Sequence, residues 1–186
     1  MNDPAQEITS AGDAGAALAL LRAANVSDQV LLTPVGICGA FGLAPVEPLP
    51  DGTFAFAEGA REAIIIGVRD ESDELADLVA WRPGRPDRWR RRLGAATFAG
   101  ENDVRAAAFF RHPLRVFASP LSWLQRNCLG AVILDPEADI RADLDGVPEI
   151  EAETLELGRE ISRQLAERTS FRRPIISVPE PAARAA

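Results

Sequence analysis

The residues best suited to chemistry lie in one short segment, residues 81–92, whose sequence is WRPGRPDRWRRR. Arginine guanidinium groups grip phosphates through paired N–H donors, and tryptophan rings stack on nucleic-acid bases. Aromatic residues interleaved with arginines therefore predict a contact surface for nucleic acid or for another acidic partner. The candidate contact residues are Trp81, Arg82, Arg85, Arg88, Trp89, Arg90, Arg91 and Arg92.

A purely structural role is the alternative for this segment. In that interpretation Asp87 caps a short helix, in which Trp89 and Leu93, four residues apart, face the core. The arginines are then solvated or pair with surplus carboxylates, since the chain has 28 acidic and 20 basic residues. A run of charge alone is weak evidence for a binding site.

A second group of residues could hold a metal ion. Carboxylate oxygens are the ligands that Mg²⁺ prefers, and bound metal ions support phosphoryl transfer. Asp135 follows a predicted strand, and ligands of open parallel sheets bind beyond the carboxyl ends of the strands. The alternative is that Asp135 and Pro136 begin a turn, as these residue types often do. The candidate metal ligands are Asp135, Glu137, Asp139 and Glu153.

A predicted strand–helix–strand unit positions these acids. Residues 114–118 alternate in the manner of a strand. Ser119 and Pro120 suit a helix start, because serine caps a free amide and proline loses no hydrogen bond there. Gly130 is typical of the residue that ends a helix. Residues 131–134 are uniformly apolar, which indicates a strand buried on both faces of a parallel sheet.

The other predicted elements complete a mixed α/β fold. A hairpin-type turn at Asp51 and Gly52 leads into the strand 53–57, antiparallel strands form the N-terminal half, and the βαβ unit lies in the C-terminal half. In the strand 75–81 we expect Asp77 to point outward. The predicted helices span residues 14–25, 103–110 and 153–168, and the predicted strands outside the βαβ unit span residues 30–33, 53–57, 63–68, 75–81, 147–152 and 175–178.

The glycines at positions 36, 39 and 42 suggest a phosphate-binding loop at first sight. Such a loop needs a helix directly after it, whose amides hold the anion. The three prolines within residues 43–50 preclude that helix. We therefore expect a close-packed loop, and the sequence leaves its role open. His112, the only histidine, precedes a proline and is interpreted as a turn residue.

Composition limits the class of protein. A length of 186 residues with 47% apolar residues predicts one folded domain, over residues 10–178, with flexible tails at 1–9 and 179–186. The net charge of −8 argues against a protein that coats nucleic acid nonspecifically, but it is compatible with a local basic patch. No leader-like N-terminus and no apolar run of roughly 18 residues is present. We expect a cytoplasmic protein that does not contact membranes.

The order of strand, helix, strand, loop, strand and helix over residues 114–168 resembles a toprim domain, found in primases, topoisomerases and related nucleases. That family carries a glutamate after its first strand and an Asp-x-Asp-x-x-Gly motif later, and these acids hold magnesium. Here the first position falls on Ser119 and Pro120, and the later motif falls on Glu153, Leu155 and Gly158. Two of three expected carboxylates are absent, so the resemblance implies a catalytically inactive copy.

The phrases DLVAWRPGRPDRW and HPLRVFASPLSWL are similar to uncharacterised prophage proteins of GC-rich bacteria, over roughly residues 30–180. Our hypothesis is a non-enzymatic phage-type accessory protein without a cofactor, which binds nucleic acid or a phage or host protein of DNA metabolism. One alternative is a magnesium-dependent phosphoryl-transfer enzyme of toprim type. Another is a structural or inhibitory module that binds a protein through its acidic face at residues 138–153. The sequence leaves the oligomeric state and the ligand open.

Overall fold

Two five-stranded sheets with helices packed around them form the protein, as seen in a computed structural model that describes residues 7–8, 12–32, 40–166 and 175–177. The mixed α/β prediction is confirmed. The helices are α1 (Ala14–Ala23), α2 (Asp28–Leu32), α3 (Glu101–Phe110), α4 (Pro120–Gln125) and α5 (Leu155–Ala166). The strands are β1 (Phe41–Pro48), β2 (Phe54–Phe56), β3 (Arg61–Arg69), β4 (Leu75–Trp81), β5 (Trp89–Arg91), β6 (Phe98–Ala99), β7 (Leu114–Phe117), β8 (Ala131–Ile133), β9 (Glu149–Ala152) and β10 (Ile175–Ser177).

The first sheet is antiparallel, in the order β2-β1-β3-β4-β5. The two edges of this sheet meet. The backbones of Thr53, which precedes β2, and Arg91 of β5 form a β-bridge. The Arg90 guanidinium also donates to the carbonyl of Leu49, which follows β1. The sheet therefore curls around an inner apolar cluster. That cluster contains Ile8, Ala44, Phe54, Ala63, Ile65, Leu78 and Ala80.

The second sheet has the order β10-β9-β7-β8-β6, with β7 parallel to both β8 and β9. The predicted βαβ unit is confirmed: Ser119 caps α4 by accepting from the Ser122 amide at 3.1 Å, and Pro120 occupies the first turn. Gly130 has a φ of 114°, a conformation that only glycine adopts freely. Residues 175–177 form the expected edge strand.

The principal core lies between the two sheets. Trp81 of β4 and Leu134 after β8 meet there, together with Trp123 of α4 and Leu21 of α1. The far face of the second sheet packs against α3 and α5 in a separate cluster around Ile150. No helix in the described part of the chain is long and apolar enough to cross a membrane.

Several local predictions are corrected. Residues 30–33 were expected to form a strand, but Val30 and Leu31 belong to α2, which Asp28 opens with an acid in its first turn. The helix expected around Asp87 is also wrong, because residues 89–91 form β5. Residues 33–39, which include most of the glycine loop, lie outside the described residues, as do residue 178 and the C-terminal tail.

Asp77 is fully buried, contrary to the expected outward orientation. Its carboxylate accepts hydrogen bonds from five backbone N–H groups at 2.8–3.3 Å. The alternation of side chains along a strand predicts that one face of β4 is exposed to solvent. However, this sheet curls on itself and packs on the second sheet, so both faces of β4 are covered. The donors belong to Leu78, Arg92, Leu93, Ala95 and Ala96. Asp77 thereby fixes the chain that follows the arginine-rich segment.

Candidate anion-binding site

The pairing of β5 with β4 divides the arginine-rich segment between two faces. Trp89 lies opposite Trp81, and Arg90 lies opposite Ala80. Trp81 packs in the core between the two sheets, so the side chain of its neighbour Trp89 points toward the second sheet. Because successive side chains of a strand point to opposite faces, the Arg91 side chain points the same way as that of Trp89. Arg90 lies on the other side, where the curled sheet surrounds its inner cluster.

A first cavity of about 230 Å³ opens at this inner side of the curled sheet. Its floor is apolar, and its rim is basic. No carboxylate is among the described residues that line it. The floor consists of Val46, Pro48, Phe54, Ala63, Ala80 and Trp81, and the rim consists of Arg82, Arg85, Arg88 and Arg90.

The rim arginines are only loosely paired. Arg85 and Arg88 share the carboxylate of Asp87, with N–O distances of 3.4 and 3.8 Å. The hydrogen bond from Arg85 lowers the pKa of Asp87, so this carboxyl group stays ionised. The Arg82 guanidinium has no hydrogen bond or ion pair with any described residue, although the Arg82 carbonyl accepts from the Arg85 amide at 2.9 Å. The guanidinium groups of Arg82, Arg85 and Arg88 therefore remain available to an incoming anion, and that of Arg90 makes only one long hydrogen bond, of 3.4 Å, to the Leu49 carbonyl.

Two of the predicted contact arginines are instead used within the protein. Arg91 pairs with Asp135 at 2.9 Å and donates to the carbonyls of Gly94 and Ala96. Arg92 pairs with Glu7 at 3.0 Å. Both guanidinium groups lock the curled sheet to its surroundings, so we do not assign them to ligand binding.

The two tryptophans of the segment differ in accessibility. Trp81 is 2% exposed and packs in the core between the sheets, so its ring faces cannot stack on a ligand. Trp89 packs against the same core but stays partly exposed. Only Trp89 can therefore offer an aromatic surface from this segment.

A second cavity, of about 680 Å³, lies on the other side of β5. It is bounded by the β1–β2 turn, by β5 and by the loop after β8. Arg88 and Arg90 line it as well as the first cavity. Unlike the first cavity, it contains carboxylates. Its charged and aromatic lining consists of Asp51, Asp87, Arg88, Trp89, Arg90, Arg91, Asp135 and Glu137.

The predicted metal ligands do not converge. Asp135 accepts from the Glu137 amide at 3.0 Å, which is the turn that the alternative interpretation expected. Its other oxygen is taken by Arg91, and Asp139 pairs with Arg141. The part of the chain that the structure describes contains no group of three or more His, Cys, Asp or Glu side chains placed to hold a metal ion.

Glu153 lies at the end of β9, apart from the other three acids. Its carboxylate accepts from the Ala118 amide at 2.8 Å and from the Ser122 hydroxyl at 2.9 Å. Glu153 therefore joins the start of α4 and the end of β7 to the end of β9.

Sequence reasoning missed the residue that holds the site in place, Asp77. An aspartate within the apolar run LADLVAW was the available signal. A buried carboxylate needs several donors to offset its lost hydration. An acid in such a run therefore indicates that backbone amides surround it.

Comparisons of the chain with models of protein families, with curated proteins and with solved structures found no match. The functional argument therefore rests on the geometry of the two cavities.

Proposed function

We propose that the protein is a non-enzymatic accessory protein that binds nucleic acid, and that the first cavity holds a backbone phosphate. One observation carries the proposal: four arginines surround a single cavity that no described carboxylate lines. Among the described residues, Asp87 is the main internal partner of these arginines, and it lies outside the cavity.

The cavity suits a phosphate both chemically and in size. Guanidinium groups bind phosphate oxygens in pairs, with short, charge-assisted hydrogen bonds. Arg85 and Arg88 hold Asp87 at 3.4 and 3.8 Å, distances longer than those of such bonds, so a phosphate can replace it. At about 30 Å³ for each water, the volume equals that of roughly eight waters. This is enough for a phosphate and part of its sugar.

The negative charge of the rest of the chain limits where nucleic acid can make contact. With a net charge of −8, most of the surface repels a polyanion. Contact is then confined to the arginine rim, and affinity depends on a few phosphate contacts. Such contacts release counterions, so binding weakens steeply as salt is added.

The test is a titration of labelled DNA and RNA oligonucleotides, followed by fluorescence anisotropy at low salt. The variant Arg82→Ser/Arg85→Ser/Arg88→Ser removes three exposed rim charges. A matched control, Arg111→Ser/Arg126→Ser/Arg159→Ser, removes three exposed charges elsewhere. We expect at least about a tenfold loss of affinity in the rim variant and less than about threefold in the control. Equal affinities for the two variants would refute the proposal.

Binding of a protein is a second candidate function, favoured by an exposed aromatic pair at the end of α3. Phe109 and Phe110 are 81% and 70% exposed and contact each other edge to face, with ring centroids 5.0 Å apart. Phe109 also lines a groove with Asp143 and Asp145, which belong to the acidic face at residues 138–153. Large exposed aromatic residues beside charged groups often mark protein interfaces.

This second candidate is tested with Phe109→Ser/Phe110→Ser. The wild-type protein, this variant and the rim variant are each used to capture proteins from a host extract. The candidate function requires a captured protein that the rim variant retains and the phenylalanine variant loses. Identical captured sets for all three proteins would contradict it.

A further inference from the structure

The two cavities lie on opposite sides of one edge strand, β5, and share Arg88 and Arg90. Because the same two side chains border both cavities, a ligand that they hold in the first cavity can extend along them into the second. This continuity raises the question of which chemical group the second cavity accepts.

The second cavity is less favourable to a phosphate than the first. Arg91 and Asp135, 2.9 Å apart, neutralise each other. The remaining charged lining consists of Asp51, Asp87 and Glu137 beside Arg88 and Arg90, so a phosphate there meets carboxylates that the first cavity lacks. The cavity therefore favours a neutral group that donates hydrogen bonds.

The same cavity offers an aromatic surface and a free acceptor. Trp89 is partly exposed on this side of β5. The exposed carboxylate of Glu137 has no hydrogen bond or ion pair with any described residue. An indole ring that packs on one side against the core is well placed to stack a flat ring on the other. A nucleobase combines a flat ring with N–H donors at its edge.

We propose that the second cavity is a base-binding subsite, so that the protein recognises single-stranded nucleic acid. This inference rests on the proposed function. The phosphate occupies the first cavity, and the adjoining base stacks on Trp89 in the second. The edge of that base donates to the Glu137 carboxylate. A duplex cannot present this arrangement, because its bases are paired and stacked. Guanine is the favoured base, because its adjacent N1–H and N2–H donors match the two oxygens of one carboxylate.

Tryptophan fluorescence tests the proposal directly. Among the three tryptophans, Trp81 and Trp123 are 2% and 6% exposed, so quenching by a ligand reports on Trp89. The titrants are a single-stranded oligonucleotide of about eight nucleotides that contains guanine, its abasic counterpart and the corresponding duplex. We expect quenching by the guanine-containing strand, and about tenfold weaker binding of the abasic strand.

Two substitutions separate stacking from folding. Trp89→Leu should weaken the binding of the base-containing strand about tenfold and leave the abasic strand unaffected. Trp89→Phe keeps an aromatic ring and should retain most of the affinity.

Glu137→Gln, which preserves the shape of the side chain but removes its charge, should abolish the preference for guanine over thymine.

The outcomes distinguish the two proposals. If both strands bind with equal affinity, without quenching, and the rim variant abolishes this binding, the base subsite is refuted and the phosphate site stands. If neither strand binds at low salt, both proposals fail. Affinity for the base-containing strand, measured by anisotropy, that persists in Trp89→Phe and falls in Trp89→Leu supports the subsite.

Discussion

Arg91 and Asp135 join the two sheets of the protein through an ion pair with an N–O distance of 2.9 Å. Arg91 belongs to the edge strand β5 of the first sheet, and Asp135 follows β8 of the second. Their side chains are 18% and 26% exposed, so water screens the pair only partly. The pair forms a wall of the second cavity and fixes the distance between the arginine rim and the loop after β8.

Loss of this ion pair should destabilise the protein. Arg91→Gln leaves Asp135 without its cation and the carbonyls of Gly94 and Ala96 without a donor, so we expect the free energy of unfolding to fall by about 1–3 kcal/mol. Urea denaturation measures the change. The control, Arg88→Gln, affects an exposed pair and should cost less than about 0.5 kcal/mol. Similar losses for both variants would contradict the structural role of Arg91.

Asp77 should be the least replaceable acid of the chain. Asp77→Asn retains one carbonyl oxygen for five N–H donors and turns an amide group toward some of them. We expect a loss of stability of at least about 3 kcal/mol, measured by urea denaturation. Asp145→Asn, at an exposed position, is the control and should be nearly neutral. A cost below about 1 kcal/mol at Asp77 would show that the five bonds are not maintained.

Gly130 should not tolerate a side chain. A Cβ atom there would overlap the carbonyl oxygen of Arg115, in addition to the unfavourable φ of 114°. Gly59 has a φ of 74° but no neighbouring atom within 4 Å of the added carbon. Gly59→Ala should cost about 1 kcal/mol, whereas Gly130→Ala should cost more than about 3 kcal/mol. Thermal unfolding compares the two, and equal costs would contradict the close approach of β7.

Cys128 should react slowly in the native protein. Burial, with a smaller contribution from Asp103, raises the pKa of its thiol to about 12. The thiolate is the reactive form, so a Cys38→Ser variant should react with a disulfide reagent far more slowly at about pH 8 when native than when unfolded in urea. Because the native thiol holds its proton while the unfolded thiol loses it, stability should fall as pH rises from about 9 toward 12. Equal reaction rates in the two states would contradict the burial of Cys128.

The βαβ unit could be predicted from the sequence because its signals are local. Ser119 and Pro120 specify the helix start, and the apolar run at residues 131–134 requires a strand covered on both faces. The hairpin turn at Asp51 and Gly52 is specified in the same way, and Thr53 donates to the Asp51 side chain as expected of such a turn. These features need no knowledge of distant parts of the chain.

The division of the arginines could not be predicted. It depends on the register of β5 against β4 and on the curl of the first sheet, which join residues far apart in sequence. The short strand at residues 89–91 has the composition of a solvated charged segment. Its pairing alone decides that Arg90 lines the first cavity while Arg91 pairs with Asp135 on the other face. The burial of Asp77 has the same origin, because only the folded sheet supplies its donors.

The measurement that tests the central claim most directly is the salt dependence of single-strand binding, compared between the wild-type protein and Arg82→Ser/Arg85→Ser/Arg88→Ser. Each phosphate contact on a single strand contributes about −0.7 to the slope of log K against log salt concentration. Between about 50 and about 200 mM salt, the wild-type slope should be more negative than that of the variant by about 0.7, because the rim holds one phosphate. Identical slopes, at any affinity, would show that the arginine rim does not hold phosphates.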